Sequence, residues 1–181
     1  MVTVFLAGGS ADRGETAYSR AAREFGRRVA GEGWVLRTGG GSGRSVMGAA
    51  TDGSLGAGGR VEGVILRKFW GIRHRGMGSM KALRTFSGRK AALFRGADAA
   101  VVFPGGYGTL DELGDLLTLK QTGFLDLPVL VVNVRGYFAK FLAWERQMGR
   151  EGFLYGPRLF TVSPTPAAAI RRLKALLNTQ A

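Results

Sequence analysis

The chain of 181 residues contains no cysteine and a single histidine, His74. These absences exclude disulfides, thiolate metal sites, a cysteine nucleophile, a histidine-based metal cluster and a Ser-His-Asp triad. No apolar run approaches the length of a membrane span, and the first residues are strand-like, without the layout of a signal peptide. We therefore expect a cytoplasmic protein that neither crosses a membrane nor binds a metal through cysteine or histidine.

Acidic residues are scarce, with 13 Asp and Glu against 26 Lys and Arg and a net charge of +13. An excess of this size favours an anionic partner, although it does not by itself distinguish a phosphate metabolite from nucleic acid or a membrane surface. Long basic runs interleaved with aromatic residues, which are typical of nucleic-acid binding, are absent. We expect a small phosphate-bearing ligand, with neither nucleic acid nor a membrane as the partner.

Short apolar segments alternate with segments of helical periodicity along the whole chain. Strands are predicted at 2–7, 34–38, 61–66, 99–103, 129–134 and 159–162, and helices at 15–30, 46–55, 80–95, 110–121, 138–148 and 167–177. This alternation predicts an α/β fold, a Rossmann-like doubly wound parallel sheet. We expect one nucleotide-phosphate-binding domain over residues 1–181, with its ligand at the carboxyl ends of the strands.

Two glycine-rich turns follow predicted strands and precede predicted helices. They are Gly39-Gly40-Gly41-Ser42-Gly43 and Pro104-Gly105-Gly106-Tyr107-Gly108-Thr109. Glycine allows backbone N–H groups to approach an anion closely, and the start of a helix adds free donors and a favourable dipole. Either turn alone is explained as a tight connection. Two such turns at one edge of a sheet predict a phosphate site.

Neither turn fits a common nucleotide-binding motif. The turn at 39–43 lacks the G-x-G-x-x-G spacing and follows the second strand rather than the first. Glu62 lies about 20 residues later, the distance of a ribose-binding carboxylate, but it is placed early in its strand instead of at the end. A Walker phosphate loop is excluded because no Gly-Lys-Ser/Thr follows either turn.

Two charged side chains near the second turn have alternative interpretations. Thr109 and Glu112 have the spacing of a capping box, in which the carboxylate binds the N–H of Thr109. Alternatively, Glu112 points into the pocket toward a sugar, where it would stabilise a developing cation or orient water, as in glycoside hydrolysis. Arg89 and Lys90 are either surface charges, or Arg89 reaches the same pocket with its planar fork.

Together these motifs resemble the LONELY GUY (LOG) family, often labelled lysine-decarboxylase-like. Residues 104–112 match its P-G-G-x-G-T-x-x-E signature at every fixed position, and Arg89-Lys90 matches its R-K pair. Segments 8–10, 39–42, 47–48, 121–123, 136–138 and 151–153 also follow the family pattern. The resemblance therefore covers nearly the whole chain.

The resemblance implies a homodimeric enzyme that hydrolyses the N-glycosidic bond of a nucleoside 5′-monophosphate, either AMP or an N6-modified AMP, to free base and ribose 5-phosphate. It implies Arg89 and Glu112 as the catalytic pair and no metal or organic cofactor. The substrate-binding residues that it implies are Gly9, Ser10, Gly41, Ser42, Met47, Gly48, Lys90, Pro104, Gly105, Gly106, Tyr107, Gly108 and Thr109.

Two other functions compete with this one. The first is a non-catalytic nucleotide or cofactor carrier on the same fold, and the second is nucleic-acid binding driven by the net charge of +13. The label of lysine decarboxylase has no chemical support, because nothing in the sequence marks a lysine for a pyridoxal phosphate Schiff base.

The chain departs from the family pattern in three places. Phe86 replaces the usual Met, which we interpret as a packing change, and residues 41–48 carry one extra residue. The third departure is a long basic loop after the third strand, without the acidic residue that usually contacts the nucleotide. This loop favours a more anionic ligand, its Trp70 either stacks on a base or anchors the loop, and its His74 is expected to be exposed.

Overall fold

The computed structural model describes residues 1–41 and 43–179, and in that part of the chain seven strands form one parallel sheet. The strands are β1 (Thr3–Ala7), β2 (Val35–Thr38), β3 (Arg60–Leu66), β4 (Ser79–Leu83), β5 (Ala99–Val102), β6 (Val129–Val132) and β7 (Thr161–Ser163). Their order across the sheet is β4-β3-β2-β1-β5-β6-β7. The strand order reverses between β1 and β5, which is where sheets of this kind bind their ligands.

Helices cover both faces of this sheet. They are α1 (Ala17–Gly31), α2 (Val46–Gly56), α3 (Phe86–Phe94), α4 (Tyr107–Gln121), α5 (Ala139–Arg150) and α6 (Pro166–Asn178). Helices α1, α2 and α6 share one core cluster, whereas α3 and α4 contribute to a second cluster, against which α5 packs. The arrangement confirms the Rossmann-like doubly wound α/β fold that the alternation predicts.

The central strand β1 shows why its segment is apolar without interruption. Val4 and Leu6 belong to one core cluster, and Phe5 and Ala7 belong to the other. Successive side chains of a strand point to opposite faces, and both faces of this sheet are covered by helices. All four side chains are consequently buried.

Helices α1 and α2 cross at a distance that only glycine permits. A Cβ atom on Gly26 of α1 would collide with the carbonyl of Ala50 in α2, and one on Gly53 would collide with the carbonyl of Arg23. The missing side chains therefore allow the two backbones to touch. This contact packs the middle of α2 directly against α1.

The segment before Arg89 differs from its prediction. Residues 79–83 form the edge strand β4, paired in parallel with β3, instead of the first turn of a helix starting at residue 80. Helix α3 begins at Phe86, because the side chain of Thr85 accepts a hydrogen bond from the N–H of Gly88 and caps it. The shorter helix moves Arg89 from the middle of the predicted helix to the second turn of α3.

The long basic loop also contains more structure than its sequence indicates. Arg67–Ile72 forms a 3₁₀ helix, and a second short 3₁₀ helix covers Val134–Gly136. The bounds of the other elements lie within three residues of the predicted ones. Among them, β7 starts two residues later than predicted, and α4 begins three residues earlier, at Tyr107. None of the helices in the described part of the chain has the length and apolar character needed to span a bilayer.

Candidate functional site

A cavity of about 430 Å³ opens at the carboxyl ends of the central strands. Its lining comes from the segments that follow β1 and β2, from the end of β3, from α3 and from the start of α4. This is the crevice beside the β1–β5 reversal of strand order, where the topology predicts the ligand. Both proposed catalytic side chains, Arg89 and Glu112, lie in its wall.

The second glycine-rich turn, residues 104–109, is called the phosphate turn from here on. It leads from β5 into α4, whose N-cap is Gly106 and lacks any side-chain cap. The first N–H groups of a helix have no acceptor within the helix itself. In α4 the N–H of Thr109 already donates to the carbonyl oxygen of Gly106 at 3.0 Å. Of the described groups, the N–H groups of residues 106–108 are therefore the ones available to an anion in the cavity, where the helix dipole adds to the attraction.

The phosphate turn is held tightly against the turn after β1. The carbonyl oxygen of Pro104 accepts a hydrogen bond of 3.0 Å from the N–H of Gly9. A Cβ atom on Gly105 would collide with the side chain of Thr109 and approach the Gly9 nitrogen to 2.7 Å. Only glycine fits at position 105, so the two turns form one continuous wall.

Arg89 and Glu112 form a buried ion pair beside this wall. Arg89 Nη1 donates to Glu112 Oε1 at 2.8 Å, and Arg89 Nε donates to the carbonyl oxygen of Val64 at 3.1 Å. Glu112 is only 5% exposed. The capping interpretation of Glu112 is wrong, because α4 begins at Tyr107, before Thr109, and the carboxylate is bound by Arg89 instead of by a backbone N–H.

Burial dominates the protonation of Glu112. Desolvation raises the pKa of this carboxyl above its usual value, and the nearby Arg89 guanidinium opposes part of that rise. The guanidinium is a permanent cation, so it favours the ionised carboxylate in a site where water cannot solvate it. The pair thus places a carboxyl group that is shielded from water beside the start of α4.

Lys90 has different surroundings from its neighbour in sequence. Its ammonium group lies 2.8 Å from a carboxylate oxygen of Asp111 and 2.8 Å from one of Asp115, both in α4. The hydrogen bond to Asp111 is the first cause of a raised Lys90 pKa, and the bond to Asp115 is the second. Lys90 is absent from the cavity lining and ties α3 to α4.

Only some of the predicted substrate-binding residues in and after the first glycine-rich turn line the cavity. Gly41 and Met47 line it, together with Gly9 and Ser10 from the turn after β1. Gly48 does not, because it lies in the first turn of α2 and its N–H donates to the capping side chain of Ser45 at 3.0 Å. Ser42 lies outside the described residues.

In the phosphate turn, Gly106, Tyr107, Gly108 and Thr109 line the cavity, whereas Pro104 and Gly105 are absent from its lining. The described structure thus brings together most of the predicted substrate-binding residues. Gly48, Lys90, Pro104 and Gly105 stand apart from the cavity itself.

Sequence reasoning missed an apolar wall, defined here as Ile65, Leu66, Phe69, Ile72 and Phe86, which all line the cavity. Phe69 is 39% exposed, Ile72 65% and Phe86 63%. Phe86 therefore lies at the cavity mouth, which corrects its interpretation as a packing change. The one sequence feature that indicates this wall is the cluster of large apolar residues between Glu62 and Asp98, a segment without acidic residues.

The basic loop presents its apolar residues to the cavity and not its charges. The Arg73 guanidinium lies 4.4 Å from the centre of the Trp70 ring, and Arg73 Nη1 donates to the Trp70 carbonyl oxygen. Phe69 and Ile72 supply the loop's contribution to the lining. The expectation that this loop favours a more anionic ligand is therefore not supported by the side chains that reach the site.

His74 anchors the same loop and is not the exposed residue that was expected. Its side chain is 13% exposed, and Nε2 lies 2.8 Å from Oδ1 of Asp52 in α2. Its backbone N–H donates to the carbonyl oxygen of Gly40 at 2.8 Å. The histidine thus fastens the loop to α2 and to the first glycine-rich turn.

Within the described residues, no group of three or more His, Asp or Glu side chains is placed to hold a metal ion. Glu62, the other carboxylate of interest, pairs with Arg37 at 2.8 Å within the sheet. Glu62 is absent from the cavity lining, so the structure gives no support for a ribose-binding role. Among the described residues that line the cavity, the polar side chains are the Arg89–Glu112 pair and three hydroxyls, and they lie beside backbone groups of the turns. The hydroxyls belong to Ser10, Tyr107 and Thr109.

Comparisons with known proteins identify relatives of this chain. Residues 47–173 match the family model described as "Possible lysine decarboxylase". The chain is 34% identical over 170 residues to a cytokinin riboside 5′-monophosphate phosphoribohydrolase of Oryza sativa subsp. japonica, covering 92% of this chain and 70% of the relative. It is 33% identical over 162 residues to an Arabidopsis thaliana enzyme of the same name, covering 88% and 76%.

A solved structure also matches over almost its whole length. The Moco carrier protein of Chlamydomonas reinhardtii superposes with a TM-score of 0.74 at 25% identity, over 98% of both chains.

Proposed function

Because the chain belongs to the LOG-type, lysine-decarboxylase-like family, we propose that it hydrolyses the N-glycosidic bond of a nucleoside 5′-monophosphate. Water and the monophosphate give free base and ribose 5-phosphate, and the substrate is AMP or an N6-modified AMP. The observation that carries this proposal is the buried Arg89–Glu112 pair beside an uncapped helix start in one cavity.

Each part of the substrate has a matching part of the cavity. The free N–H groups at the start of α4 suit the phosphate. The ribose then lies beside Glu112, one to two turns further along the same helix. The base lies against the apolar wall, whose exposed side chains offer contact area to a flat ring.

The chemistry follows from the charge that develops on the sugar. When the bond from C1′ to the base nitrogen breaks, its electron pair leaves with the base and C1′ becomes cationic. The ionised Glu112 stabilises this cation and orients the attacking water, whose hydroxyl bonds to C1′ and whose proton passes to the base. Arg89 holds the carboxylate in place and keeps it ionised.

Removing either member of the pair tests this mechanism. We expect Glu112→Gln and Arg89→Ala to lower release of base from AMP by roughly 10²- to 10³-fold, the usual loss for an electrostatic catalytic group. Asp111→Asn is the matched control, because Asp111 adjoins Glu112 but pairs with Lys90 outside the cavity. Turnover that survives both changes in folded protein would contradict the assignment of Arg89 and Glu112 as the catalytic pair.

A carrier function is the alternative. It is favoured by the similarity to the Moco carrier protein over 98% of both chains. A carrier would bind a phosphate-bearing ligand tightly in calorimetry and release no base from any monophosphate. Lysine decarboxylation gains no support, because no lysine lines the cavity in the described part of the chain.

The homodimer and the cytoplasmic location belong to the same proposal. Support for a second copy comes from exposed apolar side chains around a groove of about 710 Å³ between α4 and α5. Leu110 is 49% exposed, Trp144 55% and Tyr155 72%. Contiguous apolar surface of this kind is typical of protein–protein contacts.

A further inference from the structure

A tyrosine behind the phosphate turn makes a contact that the proposed mechanism does not use. Tyr137 Oη donates to the carbonyl oxygen of Gly105 at 2.6 Å. Tyr137 lies between β6 and α5, and is 32 positions away from Gly105 along the chain. The contact therefore joins two separate strand-to-helix connections at the same edge of the sheet.

The Tyr137 ring is fixed by its aromatic neighbours. It meets the Tyr18 ring edge-on, with 5.3 Å between ring centres, and the Phe138 ring with 5.1 Å. Edge-on aromatic pairs restrict the orientation of a ring. The position of the Tyr137 hydroxyl is consequently restricted.

The backbone leading to Tyr137 is equally constrained. Arg135 has φ of 53°, the one positive value among the described non-glycine residues, and Gly136 follows with φ of 73°. The N–H of Phe138 donates to the side-chain oxygen of Asn133 at 2.8 Å, which closes the connection. Strained backbone of this kind persists where the surrounding structure requires it. Here its effect is to turn the tyrosine toward the phosphate turn.

The Gly105 carbonyl matters because of the peptide group that it belongs to. In a trans peptide, the carbonyl oxygen of one residue and the N–H of the next point in opposite directions. No described peptide bond is cis. Holding the Gly105 oxygen from behind therefore directs the Gly106 N–H forward, to the cavity side that Gly106 lines and Gly105 does not.

The preceding peptide group is held in the same manner. The Pro104 carbonyl oxygen is bound by the Gly9 N–H at 3.0 Å, so the Gly105 N–H is oriented as well. Two consecutive peptide groups of the phosphate turn are thus fixed through their oxygens. The first is held by backbone, and the second is held only by the Tyr137 hydroxyl among the contacts of the described residues.

We infer that Tyr137 is a positioning residue, which sets the anion-binding N–H of Gly106 by holding the Gly105 carbonyl. This inference rests on the proposed phosphate site, but it does not require that the bound nucleotide be cleaved. It assigns a role in ligand affinity to a side chain outside the cavity lining.

The test is Tyr137→Phe, which removes the hydroxyl and keeps the ring. Tyr18→Phe makes the same chemical change in the ring that packs against Tyr137. Calorimetry with ribose 5-phosphate and with AMP gives affinities, and steady-state kinetics with AMP gives KM and kcat. We expect Tyr137→Phe to weaken both ligands and raise KM by roughly three- to tenfold, the effect of one neutral hydrogen bond. The value of kcat and the melting temperature stay near those of wild type, as they do for Tyr18→Phe.

Each other outcome has a defined meaning. Unchanged affinity for ribose 5-phosphate in Tyr137→Phe, or equal weakening in Tyr18→Phe, overturns the positioning role. A fall in kcat and melting temperature with unchanged affinity shows a structural role and also overturns it. If wild type binds AMP without releasing base, the enzyme proposal fails while the affinities still decide the role of Tyr137. If wild type binds neither ligand, both proposals fail.

Discussion

Arg89 and Lys90 are adjacent in sequence and have unrelated partners. Successive residues of an α-helix point roughly 100° apart, so two neighbours cannot face the same surface. Arg89 reaches the carbonyl of Val64 and the carboxylate of Glu112, whereas Lys90 binds two aspartates of α4. The R-K pair therefore combines one residue that lines the site with one that fastens α3 to α4, and α4 carries the phosphate turn's N–H groups.

The raised pKa of Glu112 predicts opposite effects of pH on activity and on stability. Because the proposed mechanism uses the ionised form, kcat/KM for AMP should fall as pH falls through this pKa, with a limb above the ordinary value of 4.5. A pKa that is higher in the folded protein stabilises it most in acid, below the unfolded value. That contribution is lost as pH rises through the folded pKa.

The measurement is kcat/KM and melting temperature in overlapping buffers from acid to neutral pH. Asp111→Asn should keep the acid limb. Glu112→Gln should lose this group's contribution to the pH dependence of the melting temperature. A limb at or below 4.5 in wild type would contradict the burial argument.

At the scale of elements, the sequence predicts most of the fold and less of the site. The strands next to the site, β1 and β5, are apolar on both faces, so their position follows from composition alone. The sequence does not predict strand β4 because residues 80–83 continue the apolar pattern of α3. The boundary between β4 and α3 is set by the hydrogen bond that caps the helix at Thr85, and this bond is visible only in the structure.

The proposed catalytic pair illustrates the same limit. The identities of Arg89 and Glu112 follow from motifs, but the spacing of Thr109 and Glu112 equally fits a helix cap. Only the start of α4 at Tyr107, together with the approach of α3, decides where the carboxylate points. The apolar wall was not predictable, because it is assembled from β3, the basic loop and the start of α3, which the fold brings together.

The apolar wall should act on the base alone. Phe86→Ala removes an exposed ring from the cavity mouth, and we expect KM for AMP to rise by roughly fivefold or more through lost apolar contact. Affinity for ribose 5-phosphate, which has no base, should stay unchanged in calorimetry.

Phe124→Ala is the matched control for this change. Phe124 is 83% exposed and follows the far end of α4, away from the cavity. A similar rise in KM for Phe124→Ala, or weaker binding of ribose 5-phosphate to Phe86→Ala, would contradict the assignment of Phe86 to the base.

At the scale of the whole molecule, the groove between α4 and α5 predicts self-association. We expect wild type to have twice the mass of one chain in light scattering. Trp144→Glu should reduce that mass to a single chain, because it places a charge among exposed apolar side chains. Arg171→Glu on α6, which packs on the opposite face of the sheet, should leave the mass unchanged. A monomeric wild type, or a dimer that survives Trp144→Glu, would contradict the prediction.

Helix α4 carries the proposed phosphate-binding N–H groups at its first residues and the carboxylate of Glu112 in its second turn. Glu112 lies six positions after Gly106, and at the rise of an α-helix this distance is roughly 9 Å along the axis. A helix keeps such a spacing because its hydrogen bonds resist stretching. Under the proposed function, this constant spacing sets the distance at which a ligand can hold its phosphate from its glycosidic carbon. If a ligand with a 3′-phosphate bound its phosphate at the same N–H groups, its glycosidic carbon would not lie beside Glu112.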